Sequence, residues 1–592
     1  MILNILIYYF LKYGFILSLP ILFYYIYNRK PKSYKQTKIV DYNIKDIQRD
    51  GFSMKKVPKD LDYIIIGSGI AGLVTAAFLS KIGKKVLVLE QHYVAGGCCH
   101  TFNEHGYDFD TGIHYVGNVQ KLNKILDPIS LKTPEWTKLG STNSDLSEVY
   151  DEIVVKDKSF CIRTGEENFK GDLINRFPEE EENIHTYFKL LKKVNSYKFY
   201  FILKIYNFRF NFVKRFLTSF LCKDYLYYAN KTAYDVLTEN ITQNKALLAI
   251  LLGQFGDGGC TPKKMSFTMY SGIVNHYLEG GYYPHKGPSE IIKNIIPTIL
   301  KHGGRVLVRK GVKNIVLDEN KKKALGVKME NGNIIYSKNV ISSIGFINTF
   351  DKLLERDVVK NLKINSLIKN YKPPISYFYS FIGLKHSLDT IGLTTRNIWG
   401  YPHCNYDKMM EDFCKDPLNA PIPYFIAFPS AKDANNESNK YKPTAVVLTM
   451  INYENFMEWK DEKCTNRSET YKEFKQKISD RLLNECLFKH YPELKDKIEY
   501  ITIGTPLTNS FYLGSPNGEC LGLDHTTDRF TNDLLTPYTE IENLYMTGQD
   551  ICTGGFSGAI NGSFICLNHI LGYGSIFDIL TGRDLLKDIN KI

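Results

Sequence analysis

Several function classes are excluded by what this sequence lacks. Its twelve cysteines are scattered, with no Cys-x-x-Cys pair and no regular spacing, which argues against both a zinc site and a disulfide framework. The trio Cys98-Cys99-His100 offers ligand-type atoms, but adjacent cysteines rarely share one ion, and no metal is expected. The net charge of +12 is spread along the chain, without the basic–aromatic stripe of a nucleic-acid-binding protein. No nucleic acid is expected as a partner, and a membrane surface fits the positive balance better. There is no internal repeat, no Ser-His-Asp set and no convincing pair of catalytic carboxylates. At 592 residues the chain still has room for roughly two to four domains with large cores.

What is present is a complete nucleotide-binding βαβ pattern over residues 62–90. Tyr63, Ile64, Ile65 and Ile66 form a short apolar run ending at Gly67. The turn Gly67-Ser68-Gly69-Ile70-Ala71-Gly72 opens a helical pattern, and a second apolar strand ends on Glu90, eighteen residues after Gly72. Gly67 permits the tight turn, Gly69 lets a pyrophosphate approach the backbone, and Gly72 lets helix and strand pack closely. The helix start offers unpaired N–H groups and a partial positive charge to that pyrophosphate. Glu90 can accept hydrogen bonds from ribose hydroxyls. A bare glycine pattern is a weak signal; strand, helix, second strand and terminal acid together are a specific one.

The dinucleotide reads as FAD rather than a nicotinamide. Gly96-Gly97 lies just past the acid, and FDTGIH follows from Phe109, where a nicotinamide domain would continue with alternating strands and helices. A second glycine pair suits a chain that must hug a further segment of an extended ligand; an ordinary turn is the competing reading. The far end supplies another half. NLYMTGQD from Asn543 reads as a short strand entering a polar turn that holds Gly548 and Asp550. Gly554, Gly555, Gly558 and Gly562 then lead an apolar helix expected to run to about Leu580. Small residues at a helix start leave N–H groups open to phosphate or to an electron-rich ring edge. Taken alone, that helix would pass for a glycine-rich packing element.

Residues 62–117, 280–354 and 505–571 resemble the retinol saturase family, part of the carotenoid isomerase and phytoene desaturase group of flavoproteins. The matching stretches are AGGCCHTF from Ala95, FDTGIHYVG from Phe109, GGYYP from Gly280, TPLTN from Thr505 and TGQD from Thr547. Phe255-Gly256-Asp257-Gly258-Gly259, followed by Pro262, is similar to the group's substrate-domain pattern. One departure is Tyr283-Pro284-His285-Lys286-Gly287, where the group has a glycine pair after a single basic residue. The resemblance implies an α/β fold, with a two-part FAD-binding Rossmann-type domain, an inserted α+β substrate domain and an N-terminal hydrophobic anchor. It implies FAD as cofactor, a retinoid or carotenoid lipid as substrate and the endoplasmic reticulum membrane as location. It also places Val312 beside the adenine, through its backbone alone.

On these motifs the chain divides into an anchor or signal segment (1–30), a polar lysine-rich linker (31–58) and a first FAD-binding part (59–118). A mainly helical substrate or cap part (119–275) and a second FAD-binding part (276–350) follow. A second substrate block (351–534), with a polar looping stretch at 432–442, precedes the C-terminal FAD-binding part (535–592). Residues 2–27 are almost wholly apolar and as a helix would reach about 39 Å, enough to span a bilayer. No small-x-small cleavage site precedes the following basic cluster, which favours an uncleaved anchor over a signal peptide. The basic flank sets the enzyme body on the cytoplasmic side. Residues 199–223 interleave phenylalanines with lysines and arginines, which suits either a helix lying among lipid headgroups or a cap over the substrate cavity. Either way this segment marks an entry path for a lipid-soluble substrate. The 41 tyrosines and 35 phenylalanines suit a pocket for a flat, conjugated molecule, and a locally biased composition explains them equally well.

The hard chemistry then rests with the cofactor, and the protein must bind it, orient the substrate and exclude water. The expected reaction is reduction of one double bond of a retinoid, most simply all-trans-retinol to 13,14-dihydroretinol. His114 is the candidate proton donor, because the Asp110-Thr111-Gly112 turn should bring it near the flavin ring; a histidine bonded for structure is the competing reading. Tyr115, Tyr282 and Tyr283 are alternatives. Residues 253–259 are glycine-rich but follow a helical pattern, so no built-in nicotinamide domain is expected. NADPH or NADH would visit the flavin transiently, or a separate reductase would supply electrons. Two other functions compete: a carotenoid or polyene isomerase or desaturase on the same scaffold, and a membrane-tethered lipid-binding protein in which FAD is structural.

Overall fold

The computed structural model describes residues 41–140, 147–196, 199–207, 211–433 and 436–572. The anchor expected at 1–30, the first part of the linker and the helix end beyond 572 lie outside the described residues. Among the described residues no helix is long and apolar enough to cross a membrane.

Two large sheets organise the chain. The first is parallel, with five strands in the order Leu544–Met546, Asn339–Ser342, Tyr63–Ile66, Val86–Leu89 and Arg305–Leu307. Three distant parts of the sequence therefore share one sheet. Tyr63–Ile66 and Val86–Leu89 are buried at every position, as continuous apolar runs must be when both faces of a parallel sheet are covered. The helix Ile70–Lys81 is apolar all round because it is sandwiched, touching the helices Ser289–Lys301 and Gly555–Leu571. The tail of the expected linker is not free. Gln48 exchanges hydrogen bonds with Ala95, and Gly51 bridges to Val308 at the sheet edge.

The second sheet has seven strands, ordered Ile498–Gly504, Ser376–Leu384, Thr444–Ile451, Tyr424–Ala427, Asn397–Tyr401, Val149–Val155 and Lys158–Arg163. All neighbours are antiparallel except Asn397–Tyr401 with Val149–Val155. Side chains alternate across a strand. Tyr377, Tyr379, Trp399, Phe425 and Leu448 accordingly face one core, while Phe378, Ile398, Ile426 and Val447 face another.

The region 119–275 is mainly helical, as expected, and its hairpin 149–163 adds two strands to the seven-stranded sheet. One expectation is corrected here. The stretch 432–442 is not a loop throughout. Among its described residues Lys432 ends the short helix Pro429–Lys432 and a second short helix spans Glu437–Tyr441, and Lys432 is 0% exposed. Polarity in the sequence suggested solvent, but this lysine is taken into the interior by hydrogen bonds.

Candidate functional site

One cavity of about 1030 Å³ runs between the two sheets. The carboxyl ends of four parallel strands open into it, at Gly67, Glu90, Ser343 and Thr547, which is where open α/β sheets hold their ligands. Gly67, Gly69, Glu90, Gly97, His114, Val312, Gly548, Asp550 and Gly558 all line it. Of the residues singled out from sequence, Gly72 and Gly96 stand behind the wall. A Cβ on Gly72 would sit 2.2 Å from the Gly67 carbonyl oxygen, so its glycine serves helix–strand packing. Gly96 has φ +133°, and it bridges to Gly69. Its partner Gly97 approaches so closely that a Cβ there would lie 3.1 Å from the Gly69 Cα. The second glycine pair thus presses against the first glycine turn.

At the nucleotide end the wall is main chain. A Cβ on Gly69 would meet nothing within 4 Å and would project into the cavity. The helix Ile70–Lys81 begins there with no side-chain cap and no acid in its first turn, leaving its first amides open. The helix Gly555–Leu571 starts on the same cavity with no acid in its first turn. Its Gly554 and Gly555 amides are taken by His525 Nε2 (2.9 Å) and Gln549 Oε1 (3.1 Å). Two helix starts on one elongated cavity, with bare glycine between them, fit a dinucleotide held by backbone. Glu90 accepts from the Ser68 N–H (2.9 Å) and hydroxyl (2.7 Å) and from the His92 N–H (2.8 Å), and its carboxylate retains acceptor capacity. Asp550 accepts from the Phe346 and Leu523 amides, at 2.9 and 3.0 Å. That carboxylate fastens the C-terminal turn to the middle of the chain while bordering the cavity.

At the far end the wall is side chain. Tyr115 and Tyr277 stack at 4.5 Å, and Trp399 lies 4.5 Å from Phe425. Tyr377 and Tyr379 complete an aromatic lining. Among the described phenylalanines only Phe425 and Phe556 line the cavity; most of the aromatic excess builds cores.

Behind these rings lies a buried polar cluster that sequence reasoning missed. Tyr115 Oη is 3.0 Å from both Asp151 Oδ2 and Asp257 Oδ2. Asp151 also accepts from Gln254 (2.8 Å), Asn397 (2.8 Å) and Trp399 (3.3 Å). Lys432 donates to Asn397 Oδ1 at 2.6 Å and to the His114 carbonyl at 2.8 Å. Burial pushes the Lys432 ammonium down to about 7 against the pull of Asp151 and Asp110. Burial pushes Asp151 up to about 6 and Asp110 to about 7, opposed by their hydrogen bonds. Asp110 is held by the Tyr283 hydroxyl at 2.5 Å, so Tyr283 faces inward from its strand rather than onto the cavity. The residues come from six separate stretches, and no local spacing announces them.

His114 lines the cavity, yet burial and the nearby Lys432 push its imidazole down to about 3. It is therefore neutral at physiological pH, and its Nδ1 has no hydrogen-bond partner among the described residues. His525, unremarked in the sequence, is a connector. Its Nδ1 is 2.7 Å from the Gly258 carbonyl and its Nε2 accepts from Gly554, which ties the turn beside Asp257 to the C-terminal glycine turn. The segment 199–223 is divided. Phe199–Ile205 packs against the helix Gly555–Leu571, while Phe216 and Phe220 are exposed, and neither part lines the cavity. Among the described residues no cluster of His, Cys, Asp and Glu is arranged to hold a metal ion.

Comparison with known proteins agrees with this geometry. A family profile described as an NAD(P)-binding Rossmann-like domain matches residues 65–128. An all-trans-retinol 13,14-reductase of Danio rerio is 39% identical over 565 residues, covering 90% of this chain and 90% of that protein. A second Danio rerio protein, 30% identical over 95% of this chain and 96% of its own, bears the name inactive all-trans-retinol 13,14-reductase. The chloroplastic prolycopene isomerase of Daucus carota is 26% identical over 84% of this chain and 77% of its own. Among solved structures, an oxidoreductase from Methanosarcina mazei is similar with a TM-score of 0.56 at 14% identity, covering 85% of this chain and 99% of its own. That last likeness is one of fold.

Proposed function

This chain belongs to the all-trans-retinol 13,14-reductase family, and from that membership we propose that it is an FAD-dependent oxidoreductase that saturates one double bond of a conjugated retinoid, most directly all-trans-retinol to 13,14-dihydroretinol. The observation that carries this reading is the single cavity, with a glycine cradle at one end and aromatic rings backed by buried acids at the other. Bound and reduced, FAD supplies hydride chemistry to such a bond. The chain's own residues do the rest. Gly67, Gly69, Gly97 and the start of Ile70–Lys81 take the pyrophosphate, Glu90 the ribose, and the Val312 backbone borders the adenine. Gly548, Gly558 and the start of Gly555–Leu571 take the flavin end. Tyr377, Tyr379, Trp399 and Phe425 offer flat apolar faces to a polyene and keep water from it. A neutral His114 offers an orienting hydrogen bond through its unsatisfied Nδ1 more readily than a proton.

The deciding experiment is mass spectrometry of products after FAD-loaded, anaerobically reduced protein meets retinol, retinal and several carotenoids. A gain of two hydrogens on retinol is expected. Loss of hydrogens would mean a desaturase, and unchanged mass with altered retention an isomerase, the reading that the Daucus carota relative favours. No change in any polyene would leave a lipid-binding protein with structural FAD. Because the family includes a member named inactive, turnover is the measurement that matters.

The reductant in this reading is NADPH or NADH visiting the flavin transiently, or a separate reductase. Anaerobic mixing with NADPH tests the first arrangement, and an unbleached flavin band would exclude it. The apolar segment 1–30 would tether the protein to the endoplasmic reticulum membrane, which fractionation of cells expressing the chain with and without that segment would test.

A further inference from the structure

Tyr115 poses a proton-counting problem. Its hydroxyl carries one proton, yet two carboxylate oxygens lie 3.0 Å from it. It can donate to only one of them. Asp151 is surrounded by donors: Gln254, the Asn397 amide and the Trp399 indole N–H all point to it. The indole can only donate, and the Asn397 oxygen is already occupied by Lys432, so its NH₂ must face Asp151. A carboxylate ringed by donors is ionised. Tyr115 therefore donates to Asp151, and the remaining contact, to Asp257 Oδ2, is satisfied only if Asp257 carries the proton and donates it to the phenol oxygen.

Asp257 also borders the cavity, in the Phe255–Gly258 turn. The turn is held from three sides. The Tyr377 hydroxyl donates to the Gly256 carbonyl at 2.9 Å, His525 binds the Gly258 carbonyl, and Trp399 packs so close to Gly256 that a Cβ there would meet it at 2.3 Å. The titratable groups facing Asp257 are Asp151 and Tyr150 on one strand, Tyr115 on its loop, Tyr277 on its helix, and Tyr377 and Tyr401 on the sheet. Lys432 is the cation of the cluster, and it reaches Asn397 and the His114 carbonyl rather than Asp257.

We propose that Asp257 is the proton donor of the reduction, a neutral carboxylic acid at the cavity wall that donates to the Tyr115 oxygen while Tyr115 donates to Asp151. This rests on the saturase reading. Saturating a double bond adds a hydride equivalent to one carbon and a proton to its neighbour, and a reduced flavin accounts for the first. For the second, the Asp257 O–H bond breaks and a C–H bond forms with the π electron pair. The oxygen keeps its bonding pair as a carboxylate. The Tyr115 proton can then turn from Asp151 to the new carboxylate, which makes Tyr115 a positioning residue. Burial and, with it, the Asp151 charge push the Asp257 carboxyl up to about 7 against the hydrogen bonds of Tyr115 and Tyr277, consistent with an acid that is protonated when needed and can release its proton near neutrality.

The test compares FAD-loaded wild type with Asp257→Asn, Asp257→Glu and Tyr115→Phe. Asp257→Asn should lower turnover by about 100-fold or more, as expected for loss of a general acid, and should delete one protonated-carboxyl carbonyl band from the neutral-pH infrared spectrum. Asp257→Glu should restore part of the turnover. Tyr115→Phe removes a hydrogen bond to the carboxylate form, so the alkaline limb of the pH–turnover profile should move to higher pH. Turnover of Asp257→Asn within a few-fold of wild type, or an unmoved limb in Tyr115→Phe, overturns the proposal. If Asp257→Asn does not retain FAD, the Tyr115→Phe limb decides. If wild type saturates no polyene, the functional reading fails instead. The infrared band then judges Asp257 alone, and a wild-type spectrum identical to that of Asp257→Asn overturns its protonation.

Discussion

The nucleotide end of the cavity is walled by main chain and its far end by side chains, and the two ends use different physics. At the first, glycines let backbone come close and helix starts supply fixed partial charges, so specificity lies in the path of the chain. At the second, Asp151, Asp257, Tyr115, Asn397 and Lys432 form a network in which each polar atom is satisfied by another distant in sequence. Damage to the first end should appear in folding or cofactor retention, and damage to the second in buried-group energetics and chemistry.

The strongest test of that division lies within the glycines. Gly72→Val and Gly558→Val place a Cβ 2.2 Å and 1.9 Å from the carbonyl oxygens of Gly67 and Thr553. Each should cost at least ~3 kcal/mol as a backbone overlap, read as a large drop in melting temperature or no folded protein. The Cβ of Gly69→Val meets no atom within 4 Å, and the variant should melt like wild type. Its FAD affinity should fall about 100-fold, equivalent to about 2.7 kcal/mol, measured by titration of the apoprotein. If Gly69→Val also unfolds the protein, the main-chain end is a packing device and not a cradle.

Smaller effects sharpen the other side. Lys432→Met leaves the Asn397 oxygen and the His114 carbonyl without their donor, costing about 1–3 kcal/mol in urea unfolding, with FAD affinity unchanged. A changed FAD affinity would show that the ends are coupled. Turnover needs Asp257 protonated, so it should fall roughly tenfold per pH unit above about 7, while FAD retention stays flat from about pH 6 to pH 8. The smallest change expected is Glu90→Gln, where the Ser68 and His92 contacts are weakened but the shape is kept. A loss of FAD affinity of a few-fold, about 1 kcal/mol, is anticipated.

The same division explains what could be read from the amino-acid order. The strand, turn and helix from Tyr63 to Lys81 interact locally, so their pattern is written in adjacent residues. The C-terminal turn at Gly548 was equally readable, because its glycines serve one short helix start. The hairpin 149–163 escaped notice among helical segments because its partner strand, Asn397–Tyr401, lies far along the chain. Lys432 stood at the start of a stretch read only as polar and looping, because charge and neighbouring polar residues are all that local sequence offers; its burial depends on Asn397 and the His114 carbonyl. Asp257 was visible as a member of a glycine-rich motif, but its protonation follows only from where Tyr115 and Asp151 place their oxygens. His525 has no local signature at all.

The parallel sheet ends on Leu544–Met546, which pairs with Asn339–Ser342. During synthesis, most of the polypeptide must leave the ribosome before that edge strand exists. A nascent chain halted shortly before it would own the first glycine turn and the acid-bearing turn but not the stretch that closes over the flavin side. Such an intermediate would expose the flank of Asn339–Ser342 as an unpaired edge, making it a client for chaperones. Cofactor capture would then act as a late checkpoint on completion of the protein, and chains truncated before residue 544 should be cleared rather than accumulate as colourless enzyme.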